Sequence, residues 1–143
     1  MAKSNTQETG YLKLIYQNIA LANIGNAGGL QPSSVAGNLY ATLYTSDPTD
    51  ADAGTEATYT GYARIAVPRS AAGFTVSGAV VSNAALVTFG LNTGTSQTIT
   101  HIAFKTAATG GDIVHHGALG SAIAIANNET PKFEIGDFTV TEN

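Results

Sequence analysis

The spacing of hydrophobic and polar positions changes once along this chain. Between about Thr6 and Asn23 the apolar residues recur at helical intervals, with Leu12, Ile15, Ile19 and Ala22 on one stripe and Tyr11, Leu14, Asn18 and Leu21 on its flank. That spacing predicts an amphipathic helix. Thr6 or Thr9 is placed to cap its start. Gly25, Gly28 and Gly29 are placed to end it, because glycine enters the left-handed conformation without a Cβ penalty. The Gly/Asn/Pro/Ser stretch from Gly25 to Gly37 then reads as a linker.

After Asn38 the period becomes two. Short segments at 38–45, 61–67, 73–77, 79–82, 85–90, 97–105, 112–118, 121–126, 131–135 and 137–141 alternate between turn residues. Pro48, Pro68 and Pro131 fall at segment borders, where a missing ladder N–H is tolerated. With no second helix to make right-handed crossovers, about eight to ten short strands predict a mainly β fold, an antiparallel β-sandwich or jelly roll. The expected organisation is an N-terminal arm, helix and linker over 1–37 and a β-sandwich over 38–143, packed as one structural domain. Small Ala and Thr side chains leave such sheets thin, so an intersubunit or host surface is expected to add stability.

Composition narrows the function classes. The 143 residues suffice for one core without a metal or disulfide staple. Net charge is −4, and the basic residues Lys3, Lys13, Arg64, Arg69, Lys105 and Lys132 are scattered, so the electrostatic footprint of phosphate-backbone binding is missing and nucleic acid is not an expected partner. The absence of cysteine removes disulfides, thiol nucleophiles and thiolate metal sites together. No run approaches the roughly 18 apolar residues of a membrane span, and the polar start Met1 to Glu8 is unlike a signal peptide, so neither membrane insertion nor secretion by that route is expected.

Candidate chemistry is sparse. His101, His115 and His116 could approach a metal if 97–105 and 112–118 pair, but adjacent strand residues face opposite ways, so at most one of His115 and His116 can join His101. The loop from Asp47 to Glu56 carries Asp47, Asp50, Asp52 and Glu56, oxygen ligands of the kind calcium prefers. It lacks the EF-hand pattern and is expected to be a solvated connection. No Gly-x-Ser-x-Gly elbow, phosphate-cradling loop or carboxylate pair suited to sugar hydrolysis is apparent. The expectation is therefore no catalytic residue, no metal, no cofactor and no enzymatic activity. Tyr40 and Tyr44 alternate onto one strand face and suit a contact surface, each offering apolar area with a polar tip.

The segment "LYATLYTSDPTDADAGTEATYTGYAR", Leu39 to Arg64, resembles the signature of a family of small tailed-phage proteins. In that family an "ALYTSDPT"-type strand leads through "GTE" to "GYAR". Later blocks, Ser82 to Phe89, Ile99 to Phe104, Ala107 to Asp112 and His116 to Leu119, look like the same family, so the likeness spans about 9–141. Members are often labelled tail fibre proteins. The family also resembles the cement, or decoration, proteins of icosahedral heads, including the jelly-roll cement protein of a short-tailed Bordetella phage.

The resemblance implies a structural virion protein on the outside of the capsid, made in the bacterial host cytoplasm. Its implied partners are the major capsid protein and itself, a homodimer in preference to a homotrimer, with no nucleic acid and no membrane. On that reading the arm and helix (Lys3, Tyr11, Leu12, Ile15), the acidic loop (Asp47, Asp50, Asp52, Glu56) and Tyr40 and Tyr44 are the expected contact residues. The alternative is a tail fibre or a receptor- or glycan-binding module of the tail.

Overall fold

A computed structural model describes residues 1–142. The chain is mainly β with one N-terminal helix, as the change of period predicts, and its strand pairs are antiparallel. Among the described residues the elements are α1 (Asn5–Gln17), β1 (Asn38–Tyr44), β2 (Ile65–Pro68), β3 (Phe74–Ser77), β4 (Val80–Asn83), β5 (Val87–Thr88), β6 (Gln97–Lys105), β7 (Ile113–Ile125), β8 (Lys132–Phe133) and β9 (Thr139–Thr141). They form a sheet in the order β2-β1-β6-β7, a second in the order β3-β4-β9, and the ribbon β5-β8. The chain divides into two compact units, neither of them continuous in sequence. One gathers Met1–Asn38, Val67–Leu86 and the segment from Glu134 onward; the other gathers Leu39–Ala66 and Val87–Phe133.

The first unit is built on α1. Its N-cap is Ser4, upstream of Thr6 and Thr9; the Ser4 hydroxyl accepts from the Gln7 N–H at 3.4 Å. The helix ends at Asn18, in the left-handed conformation (φ 55°), before the glycines expected to stop it. Asparagine tolerates that conformation, and here Asn18 also exchanges two hydrogen bonds of 2.9 Å with the Ser33 backbone. Ile19 to Asn23 are therefore not helical, and the buried stripe is Leu12 and Tyr16.

Helix α1 packs on β3 and β4, with the Tyr16 ring edge-on to Phe74 at 4.9 Å. Gly10 lies mid-helix because a Cβ there would stand 2.3 Å from Leu21 Cδ1. The exposed helix end is covered by Arg69, whose guanidinium donates to the Leu14 and Ile15 carbonyls at 2.7 and 2.6 Å and to that of Ala36 at 3.0 Å. These are carbonyls the helix itself cannot satisfy, and a cation there also complements the helix dipole. Asn83, 1% exposed, ties β4 to the C-terminal segment. Its amide nitrogen donates to Ala85 and Glu134 carbonyls at 2.8 Å, and its oxygen accepts from the Gly136 and Phe138 N–H groups.

In the second unit β1 is buried along both faces, as the run of closed positions from Leu39 to Tyr44 indicates, Tyr40 alone being half-buried. An aromatic chain of Tyr59, Tyr62, Phe89 and Phe133 fills the interior, with successive ring centroids 5.4, 6.1 and 5.9 Å apart. Asn92, fully buried, holds the turn before β6: it donates to the Thr95 and Ile125 carbonyls and accepts from the Gly94 N–H. The segments expected at 112–118 and 121–126 are one strand, β7. Ile99 pairs with Ile123 and His101 with Ala118, so residues 119–122 bulge opposite Thr100. The segment expected at 61–67 is a strand only from Ile65; Gly61 turns the chain there with φ +100°, where a Cβ would stand 2.1 Å from the Leu91 carbonyl oxygen.

Candidate functional site

Register places one set of polar residues on a single face of the β1-β6-β7 sheet. Tyr40, Thr42 and Tyr44 of β1 stand opposite Lys105, Ala103 and His101 of β6, and the latter two stand opposite His116 and Ala118 of β7. Side chains two apart share a face, so Tyr40, Tyr44, His101, Lys105 and His116 point the same way and His115 points to the other side. Lys105 and Tyr44, at 3% and 1% exposure, are covered in spite of their polar ends.

The cover is the acidic loop. It is folded on itself rather than extended: the Pro48 carbonyl accepts from the Ala53 N–H at 2.6 Å, and Asp47 Oδ1 accepts from the Thr49 N–H at 2.9 Å. Thr49 and Asp52 adopt positive φ, and Gly54 sits so close to Pro48 that a Cβ would lie 2.5 Å from its Cα. The loop is solvated along most of its length, as expected, but two of its carboxylates, Asp52 and Glu56, are anchored beneath it.

Asp52 pairs with the Lys105 ammonium and accepts from the Tyr44 hydroxyl at 2.6 Å. Glu56 takes a two-pronged contact from Arg64, at 2.8 and 2.7 Å, and a hydrogen bond from the Tyr62 hydroxyl at 2.9 Å. Arg64 reaches on to the Ala107 and Gly110 carbonyls, and Tyr62 accepts from the Leu43 N–H. At the loop tip His116 Nε2 lies 3.2 Å from Asp50 Oδ1 and its Nδ1 lies 3.8 Å from Asp47 Oδ1, while His101 Nε2 is 4.0 Å from Asp47 Oδ2.

Electrostatics follow this wiring. Desolvation pushes the Asp52 carboxyl up, but hydrogen bonds from Lys105 and Tyr44, with the charges of Lys105 and Arg64, outweigh it and hold the group below its usual range. Glu56 behaves alike: burial raises it, and Arg64 and Tyr62 bring it below the ordinary carboxylate value. The bond to Glu56 in turn raises Arg64. Burial, and for Tyr44 the bond to Asp52, drives the Tyr44 and Tyr62 hydroxyls far up, so both act as neutral donors. Among the described residues no group of three His, Asp or Glu side chains is arranged to hold a metal ion.

Tyr44, Asp47, Asp50, Asp52 and Glu56 thus converge, with Tyr40 on the same sheet face. Lys3, Tyr11, Leu12 and Ile15 belong to the helical unit. Lys3 pairs with Glu142 and lies 5.8 Å over the Tyr11 ring, and Tyr11 is 39% exposed. Two expected contact residues are corrected by their burial, Leu12 at 0% and Tyr44 at 1%: internal packing accounts for the first and the Asp52 bond for the second. Ile15 is half-buried, and its carbonyl is held by Arg69. An open groove of about 500 Å³ beside α1, bordered by Thr9, Lys13 and Leu21, gathers no comparable set of polar groups. Sequence reading missed the roles of Tyr62, Arg64 and Lys105. The opposite charges of Glu56 and Arg64 inside one compact motif were the available signal.

Fold and site together define a class of small, cysteine-free, mainly β proteins in which ion pairs fasten a surface loop to a sheet. The chain belongs to the family described as "Podophage GP4 fiber I protein gp80", which it matches over residues 15–141, and it is accordingly a bacteriophage structural protein. No curated protein matches the chain. No helix in the described residues is long and apolar enough to cross a membrane.

Proposed function

We propose that this protein is a non-catalytic component of the virion exterior that binds the assembled head, cementing neighbouring subunits of the major capsid protein. The observation that carries this reading is the strapped loop: two of its carboxylates, Asp52 and Glu56, are committed to Lys105 and Arg64, which holds the base of an exposed surface in place. A preformed surface loses little conformational freedom on docking, so modest contacts repeated over a lattice suffice. Asp47, Asp50 and Tyr11 are the contact residues this reading retains as accessible, with Tyr40 at its edge. Self-association as a dimer, and the absence of nucleic-acid and membrane partners, complete the proposal. Binding that favours the assembled shell over free subunits stabilises it by linkage.

A second reading, a tail fibre or receptor- or glycan-binding module, is favoured by the family's description as a fibre protein. Cryo-electron microscopy of the particle separates the two by copy number and place. Density at many symmetry-related positions on the head exterior supports cementing, whereas a few copies confined to the tail overturn it in favour of the fibre.

A further inference from the structure

Strand β7 closes one side of the β2-β1-β6-β7 sheet, pairing with β6 along one edge and leaving the other open. It is the longest strand of the described residues, at 13 residues, and from Gly117 to Ala124 every position but Leu119 is exposed. A Cβ at Gly117 or Gly120 would meet open space. Among the described residues no backbone hydrogen bond from outside the β6 ladder reaches Gly117 to Ala124. Every second residue of such a strand turns its N–H and C=O away from its neighbour, so β7 presents a row of unused donors and acceptors.

The other sheet edges are guarded. β2 has four residues, ends in Pro68 and lies between Arg64 and Arg69. β9 has three and is followed by Glu142, β3 has four and carries α1, and β5 and β8 have two each. β7 holds no proline and no Asp, Glu, Lys or Arg. Its one guard is the bulge, and the backbone remains in strand conformation through it, with no residue of β7 at positive φ.

We propose that the open edge of β7 is where this chain pairs with a second copy of itself, β7 running antiparallel to the β7 of that copy about a two-fold axis. The inference rests on the self-association proposed above and assigns it a surface; it is independent of whether the protein sits on head or tail.

Three features select a second copy as the occupant. The net charge of −4 makes two copies repel except where they meet on uncharged ground, and β7 against β7 sets no carboxylate opposite another. An edge of 13 residues is matched in length by another β7, whereas every other edge strand has four residues or fewer. Two-fold pairing also covers both open edges at once. Pairing of β7 with β2 of the next copy would leave an edge exposed at each end and propagate as a filament.

The test is sedimentation of the intact protein from micromolar to submillimolar concentration, beside Ser121→Pro. Ser121 has no β6 residue opposite it, so proline there spares the internal ladder while removing a backbone N–H from the rim. A two-fold doubles every change, so the dimer dissociation constant should rise at least about tenfold. The S121E/A124E variant places carboxylates at two exposed positions and should act in the same direction; it carries the test if the proline variant misfolds. Amide exchange at 117–124 in the wild type should slow as concentration rises, with the Ala57 N–H, bonded to Leu43, unchanged. A dimer that both variants leave intact within about twofold overturns the β7 surface and leaves self-association standing. A wild-type chain that stays monomeric at every concentration overturns self-association itself, and the inference with it.

Discussion

Both units of this protein rest on one arginine and one buried asparagine, and the difference lies in what the arginine holds. Arg69 binds neutral carbonyls at the end of α1, together with Ala36 and the Ser33 hydroxyl. Arg64 binds a carboxylate, Glu56, and only then two carbonyls. The first arrangement does not change with pH. The second couples the loop to proton concentration, because a carboxylate that is favoured charged in the folded chain contributes stability that vanishes when it is protonated. The same side chain is thus a fixed helix cap in one unit and an acid-sensitive clasp in the other.

The largest effect should come from Asn83→Ala. It leaves the Phe138 N–H without its acceptor and two carbonyls without their donor in a site that is 1% exposed. A loss of about 3 kcal/mol in urea unfolding is expected. Next, Arg69→Met should cost about 2 kcal/mol by uncapping the Leu14 and Ile15 carbonyls, by the same amount at pH 7 and pH 3; a strong pH dependence would break the contrast between the units.

Arg64→Met should cost about 1 kcal/mol at pH 7, a figure kept small because Glu56 retains contact with water. The wild-type advantage is present above the ordinary carboxylate range and should narrow as pH falls below that range, since Glu56 is protonated only at lower pH than an ordinary carboxylate. A gap unchanged at pH 3 would mean that packing of the arginine stem and its carbonyl bonds, rather than charge, holds the loop. Smallest of all, Ser4→Ala should lower the melting temperature by a degree or two, equivalent to roughly 0.5 kcal/mol, since its capping bond is long at 3.4 Å.

The single helix, the switch to period two, and strands such as β1 and β6 were legible because their patterns are local. The helix end was misread because glycine is the commoner terminator, and Asn18 acts through a partner, Ser33, that lies 15 residues away. Arg69 as a cap was invisible for the same reason, its targets being 54 and 55 residues distant. The acidic loop is recognisable as a solvated unit, but nothing in its own spacing reveals that Lys105, 53 residues beyond Asp52, is buried beneath it. The "GTE" to "GYAR" motif carried more than its use as a likeness. Glu56, Tyr62 and Arg64 are the clasp, and Gly61 is the turn that brings them round.

The interleaving of the two units has a consequence for how the chain comes off the ribosome. Every segment of the unit that holds the acidic loop, 39–66 and 87–133, is synthesised before residue 134. The helical unit cannot close then, because β4 still lacks β9, and Asn83 lacks the Gly136 and Phe138 groups it binds. Residues 1–38, made ahead of the loop-bearing unit, therefore belong to the unit that is completed after it.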